Sequence, residues 1–470
     1  MNIPLIIVLL YVILLFGISF YVSNKQKKDA DSYLLYKGKN STFVVACSIA
    51  GLAIGGASTI GIAENAFFLG LSAGWYDTAW AIGAVISAFI AVKYLRRSGF
   101  STISALTNDM YGKQTSFMMV ISMCIIQAGI IALQYKAGGS ILSALLPNVF
   151  DVQTGTFFSF LIFMGVAMVG GMGSATLTNV LNISLIYVGV IVATITVLVN
   201  QGGWEAIQLL VAAEPEVPYM SLTEGMGWIG IVSWVIVMIG NTNSVQGVVQ
   251  IGLTGKNDKV ARNGYIIGAI MMIPVGFVCA LLGVASKALM PDGIAAEALP
   301  KILMSLPPVL GGITLSGLWA ADMGTGCSMI VGLSTTVSTD IIYKSFGDRI
   351  KIKKSLVNKL IVLVASFFTY LLATQMGTIL GAMQKALSLA IGTSFIVIGA
   401  LLFPRFTGKK AGSATIATSI IAIVAWNFIP ALTSIFKSVG IFMAIVCGVI
   451  FILVSLFDKD KVAGSIKTTA

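Results

Sequence analysis

The sequence predicts an all-α polytopic membrane protein with about 13 transmembrane helices, and three observations carry that prediction. Of 470 residues, 57% are hydrophobic and only 10% charged, with a mean hydropathy of +0.96. Such a chain lacks the polar surface that a domain in water needs. Its apolar residues fall in repeated runs of about 20, long enough to cross a hydrocarbon core of ~30 Å as a helix. The basic residues behind the formal charge of +11 cluster in short loops between alternate runs. That is the topogenic placement of Lys and Arg, and it argues against a nucleic-acid partner.

The first run, about residues 3–22, has no basic n-region and no small-residue cleavage site, so it reads as a retained span. Lys25, Lys27, Lys28, Lys37 and Lys39 follow it. Runs at about 41–70 and 74–97 are joined by a loop without a basic residue, and Arg96, Arg97 and Lys113 follow the second of them. Three more lie at about 115–146, 154–174 and 177–200, the last boundary being soft at Gly170, Gly171 and Gly173. The longest loop on the opposite side holds Glu205, Glu214, Glu216 and Glu224.

Runs at about 226–252 and 262–290 flank Lys256, Lys259 and Arg262. The ninth, about 309–342, precedes Lys344, Arg349, Lys351, Lys353, Lys354 and Lys359. Those at about 355–376 and 377–402 meet in a tight turn at Gly377. Two more, about 411–429 and 437–457, lie between Arg405, Lys409 and Lys410 and the tail residues Lys459, Lys461 and Lys467. The positive-inside rule then places the N-terminus outside and the C-terminus in the cytoplasm, and an odd span count agrees.

The five cysteines all fall inside apolar runs, with no metal-ligand spacing, and the chain has no histidine. A Cys/His zinc site, a His-based triad and histidine-held haem are thereby excluded. No nucleophile–base pair stands out either, so the chain is not read as an enzyme.

Polar residues at membrane depth are the informative ones, because each is costly there. The second run contains SIAGLAIGGASTIGIAEN, residues 48–65, with Gly51, Gly55 and Gly56 near the midplane. Close helix packing explains such glycines, and so does a broken helix whose freed carbonyls line a cavity. The seventh run repeats the pattern in GNTNSVQ, residues 240–246. Two interrupted helices five spans apart point to inverted repeats with a site between them. The ninth run, GLWAADMGTGCSMIVGLSTTVSTD at 317–340, puts Asp322 near the midplane and Thr325 one turn further in. Hydroxyls and carbonyls are hard donors suited to an alkali cation. Lys136 is expected to snorkel to the interface, and Lys385 to pair with a carboxylate or face an aqueous vestibule.

Four segments resemble the solute:sodium symporters in the right order. They are DADSYLLYKGKNSTF (29–43), FSTISALTNDMYG (100–112), VQGVVQIGLTGKNDKVARNG (245–264) and STTVSTDIIYK (334–344). The resemblance implies a LeuT-type core of 5+5 inverted repeats, alternating access and coupling to sodium. It divides the chain into a first span and loop (1–40), repeats at 41–200 and 226–402, an extracellular loop (201–225), two peripheral spans (403–457) and a tail (458–470). By the same resemblance, sodium is held by the carbonyls of Ala57 and Ile60 and by Ala321, Gly324 and Thr325. Gly324 stands where the family usually has a hydroxyl, so either water or the Asp322 carboxylate fills in, or coupling is altered. Asn179 stands where some members carry an aspartate for a further sodium ion.

For the solute the candidates are Ser58, Thr59, Glu64, Asp77, Asn241, Asn243, Gln384 and Lys385. The expected activity is sodium-coupled import of a small polar solute by a monomer or weak homo-oligomer in a lipid bilayer, a prokaryotic inner membrane. The lysines point to an organic anion, though Asp77 and Glu64 can neutralise them. Two alternatives stand beside it: proton coupling through Asp322, and a solute sensor without coupled transport.

Overall fold

The computed structural model describes residues 3–26, 38–343 and 354–464. The first part of the 29–43 segment, the basic residues Lys27, Lys28, Lys37, Lys344, Arg349, Lys351, Lys353 and Lys467, and the side chains of Lys25, Asn179 and Lys354 lie outside what is described. Among the described residues the protein is helical, with only two isolated bridges, Asn40 with Gly255 and Gly408 with Lys461.

Helix α1 (Ile3–Gln26) is followed by α2 (Thr42–Ala53), whose N-terminus is capped by Ser41. A wide π-type turn over Ala57–Gly61 leads to α3 (Ile62–Leu69), then α4 (Trp75–Phe89) and α5 (Ala91–Ser98). Thr102 caps α6 (Ile103–Tyr111), which runs through Gly112 into α7 (Lys113–Leu145). Asp151 caps α8 (Val152–Ile195). Next come α9 (Gly203–Ala213), α10 (Gly227–Ser244), α11 (Gln246–Thr254) and α12 (Asp258–Leu289). The chain continues through α13 (Ala298–Met304), α14 (Pro308–Thr336), α15 (Lys354–Ala373) and α16 (Ile379–Leu402). It ends with α17 (Lys409–Phe428), α18 (Pro430–Phe436) and α19 (Val439–Phe457).

Nine helices among the described residues are long and apolar enough to cross a membrane, or ten when the bent pair α10–α11 is one span. The difference from the expected thirteen lies in particular elements. The apolar stretch of α1 covers only Ile3–Ile18, α2 ends at a break, and α14 carries a polar stripe. Helix α8 holds two membrane-length stretches, Val152–Val169 and Val180–Val199. Ser159 lies beside Gly138 and Trp319, while Asn182 donates to the Ala320 carbonyl at 2.8 Å. A straight rod would hold residues 159 and 182 about 35 Å apart. The run therefore doubles back between them, as two expected spans require.

Helix α14 is the centre of the packing. Every residue from Thr314 to Thr336 is buried, and α1, α7 and α8 surround it. Helix α10 packs on α4 and α16, and α12 on α4 and α2. Glycine permits close approach of α12 to both α2 and α3: a Cβ at Gly268 would lie 2.3 Å from Ile49 Cγ2, and one at Gly283 would lie 2.5 Å from the Ala63 carbonyl oxygen. Such close approach supplies the dispersion contact that lipid, being as apolar as Leu, does not drive by itself. Both predicted interruptions appear in the backbone. One is between α2 and α3; the other is a 56° bend at Val245, between α10 and α11.

Candidate functional site

The interruption after Ala53 frees backbone groups that a regular helix would use internally. Ile54 has φ −82° and ψ 75°, outside helical geometry. The Gly56 N–H loses its helical acceptor and donates instead to Gln134 Oε1 on α7, at 2.7 Å. The chain then closes by a wide turn in which Gly61 N–H donates to the Gly56 carbonyl at 2.8 Å. Irregular backbone at this depth survives only where other protein groups satisfy it or where it lines a cavity.

Three polar side chains converge on that break. A Cβ at Gly55 would lie 2.6 Å from Thr325 Oγ1 and 3.0 Å from Gln134 Oε1. A Cβ at Gly56 would lie 3.0 Å from Asp322 Oδ1, 3.0 Å from Gln134 Oε1 and 2.2 Å from Ala137 Cβ. Only glycine fits at either position. The Thr325 hydroxyl donates to the carbonyls of both Gly51 and Leu52, each at 3.2 Å. Asp322 is 0% exposed, and neither carboxylate oxygen has a hydrogen-bond partner among the described residues. A buried carboxylate without a donor is a charge awaiting a counter-charge.

The expected cation ligands are therefore only partly gathered. Thr325 and Asp322 face the break, and Ala321 lies between helices at 1% exposure. The carbonyls that Thr325 reaches are those of Gly51 and Leu52, on the other side of the break from the expected Ala57 and Ile60. The Gly324 carbonyl accepts the Ser328 hydroxyl at 2.7 Å. Among the described residues no three His, Cys, Asp or Glu side chains group as a transition-metal site. The donors at the break are all oxygens: two carbonyls, a hydroxyl, an amide oxygen and a carboxylate. They match a hard cation.

The expected solute residues divide in two. Ser58 donates to Asp77 Oδ2 at 2.6 Å, both side chains are fully buried, and Asp77 Oδ1 has no partner. Asn241 is 1% exposed with neither amide atom partnered, and Asn243 keeps an unpartnered Oδ1 while its Nδ2 donates to the Ile239 carbonyl. Among the described residues these polar atoms are buried without a partner. The others are engaged elsewhere or lie outside. Thr59 bonds back to the Gly55 carbonyl at 3.1 Å. Glu64 accepts the Ile379 N–H at 2.9 Å, closing α3 against the start of α16. Gln384, half-buried, donates to Ser233 Oγ, and Lys385 is exposed with no carboxylate partner among the described residues. The Lys136 ammonium donates to the carbonyls of Met376 and Gly377, in the turn before α16.

Side chains outside the expected set hold the second bend. The Ser87 hydroxyl donates to the Thr242 carbonyl at 2.6 Å, Ser244 meets Thr393 at 2.7 Å, and Gln246 accepts the Ile103 N–H at 2.9 Å. Gln134 and Asn182 were also missed. Both are buried amides in apolar runs, which is the signal that could have found them.

The model of the sodium:solute symporter family matches residues 33–418. A sodium/proline symporter of Staphylococcus aureus, found in several strains, is 22% identical over 476 residues, which is 96% of this chain and 91% of its own length. Among solved structures, a Na+-coupled sialic acid symporter in a substrate-bound outward-open state aligns with a TM-score of 0.77. That alignment has 17% identity and covers 98% of both chains. Mhp1, a nucleobase-cation-symport-1 family transporter, aligns in a closed conformation with a TM-score of 0.57 and 14% identity, over 90% of this chain and 93% of its own. At these identities the structural likeness speaks for the fold alone.

Proposed function

Because the chain belongs to the sodium:solute symporter family, we propose that the break between α2 and α3, where it faces α14, is its sodium site and that the unpartnered groups on α4 and α10 receive its solute. The protein is a sodium-coupled symporter, a multi-pass membrane transporter and not an enzyme, and sodium is its co-transported ion. Neither proton-only coupling nor solute sensing is favoured by that membership.

One observation carries the site: the fully buried Asp322 carboxylate, without a donor, facing Gly56 beside the Thr325 hydroxyl. In this reading sodium takes the Thr325 hydroxyl, the Asp322 carboxylate and backbone oxygens of the break. Gly51 and Leu52 supply carbonyls in place of Ala57 and Ile60. Asp322 fills the coordination left by Gly324, and its charge is neutralised when the ion arrives. Sodium then bridges α2 and α14 and favours the state in which both hold it, which is all a ligand can do to an equilibrium. Inward sodium movement supplies ~2.3 kcal/mol per 100 mV for each charge, besides its concentration gradient.

For the solute we favour Ser58, Asp77, Asn241 and Asn243. An unpartnered carboxylate oxygen and two buried amides suit a small polar solute that presents donors, such as an ammonium or amide. Lys136, held by the turn carbonyls, and the exposed Lys385 lend no support to an organic anion. We further propose thirteen spans in two inverted repeats, with the N-terminus outside, working as a monomer or weak homo-oligomer in a prokaryotic inner membrane. The test is labelled sodium influx into proteoliposomes while amino acids, proline among them, sialic acid and small amides are added outside. Stimulation by one solute, lost in Asp77→Asn or Asn241→Ala, is expected. Solute uptake driven by a pH gradient in sodium-free buffer would contradict it.

A further inference from the structure

Where α5 meets the turn between α11 and α12, a cavity of about 410 Å³ opens beside the basic residues of that end of the bundle. Lys93 and Arg97 line it from α5, and Lys259 and Arg262 from α12. Lys93, Lys259 and Arg262 have no ion-pair partner among the described residues. Arg97 holds Asp258 through Nε at 3.2 Å, with its side chain 59% exposed. Arg96 serves a different purpose. It is only 13% exposed, pairs with Asp258 at 2.9 Å, and donates to the carbonyls of Gly252 at 2.7 Å and Gly255 at 2.9 Å. That locks the turn and sets the cavity wall. Asp258 is the one carboxylate among five basic side chains in the lining.

The remaining wall is apolar. Phe89 and Val92 are part of it, and Phe89, at the end of α4, is 49% exposed. Topogenic charge explains basic residues in a loop; it does not explain their convergence on a cavity with a phenyl ring at its mouth. A soluble anion gains nothing from that ring. An amphiphile gains from both halves, with its phosphate among the cations and its acyl chain along Phe89.

We propose that this cavity binds a phosphate group, that of an anionic phospholipid, and so clasps α5 to α12. The clasp lies next to α11, the inner half of the second interrupted helix, so bound lipid steadies the element that bends at Val245. The proposal is independent of the sodium reading.

The test is the thermal midpoint of the purified full chain in non-ionic detergent. It is titrated with dioleoylphosphatidylglycerol, with dioleoylphosphatidylcholine, or with inorganic phosphate. The anionic lipid should raise the midpoint while the zwitterionic one does not. Lys93→Gln, Lys259→Gln and Arg262→Gln should each weaken the apparent affinity about fivefold, the worth of one basic residue near an anionic surface. Lys409→Gln, outside the cavity, should leave the titration unchanged. If inorganic phosphate alone reproduces the shift at millimolar concentration, the lipid assignment is overturned. If the two lipids act alike, or the three single variants titrate as wild type, there is no such site.

Discussion

Gly56 is where the account is most exposed to a single atom. A methyl group there would meet Ala137 Cβ at 2.2 Å and crowd Asp322 and Gln134. Gly56→Ala is predicted to destabilise the protein by about 1–3 kcal/mol through overpacking and to abolish its response to sodium. A thermal melt with and without sodium reads both effects. Asp322→Asn keeps the shape and removes the charge, so it should fold and weaken apparent sodium affinity about tenfold or more. Unchanged affinity would remove Asp322 from the site. These residues differed in how far the sequence revealed them. Asp322 and Thr325 stood out because a polar side chain in an apolar run needs a reason. Gln134 sits two residues from Lys136, whose charge drew the attention. The Gly51 and Leu52 carbonyls carry no side-chain signature at all, and the family pattern pointed beyond the break.

At the scale of elements, the two interruptions were legible because glycine beside hydrogen-bonding side chains in a long apolar run marks backbone that leaves the helix. What holds the elements together was less so, since it depends on which helices become neighbours. Lys136 on α7 and Glu64 on α3 both grasp the short turn before α16, through the carbonyls of Met376 and Gly377 and the Ile379 N–H. From sequence they read as an interfacial lysine and a solute ligand. Together they form a polar latch on the expected outer face. Lys136→Met should release the turn, and maleimide labelling of Thr378→Cys should then speed up several-fold in proteoliposomes. An unchanged labelling rate would mean that packing alone holds the turn.

For the whole molecule, hydropathy and loop charge foretold a helical membrane protein, and the doubled-back α8 shows why counting spans is harder. A run interrupted only by glycines does not announce where it turns. The polar-rich α14 is buried without interruption from Thr314 to Thr336. Orientation is a prediction of charge placement alone. A fluorescent protein fused after residue 470 should fold and fluoresce in a bacterial host, while a phosphatase inserted near residue 215 should be active outside. The opposite pair of results would invert the topology.

Sodium binding where the α2–α3 break faces α14 is tested most directly by one melt. The purified protein is heated in sodium, and separately in equal potassium, for wild type and Thr325→Ala. A ligand that binds only the folded state stabilises it by ~2.7 kcal/mol at about a hundredfold excess over its dissociation constant. The account predicts that sodium alone raises the wild-type midpoint and that Thr325→Ala removes the rise. A midpoint equal in the two salts, or a sodium shift that survives in Thr325→Ala, would contradict it.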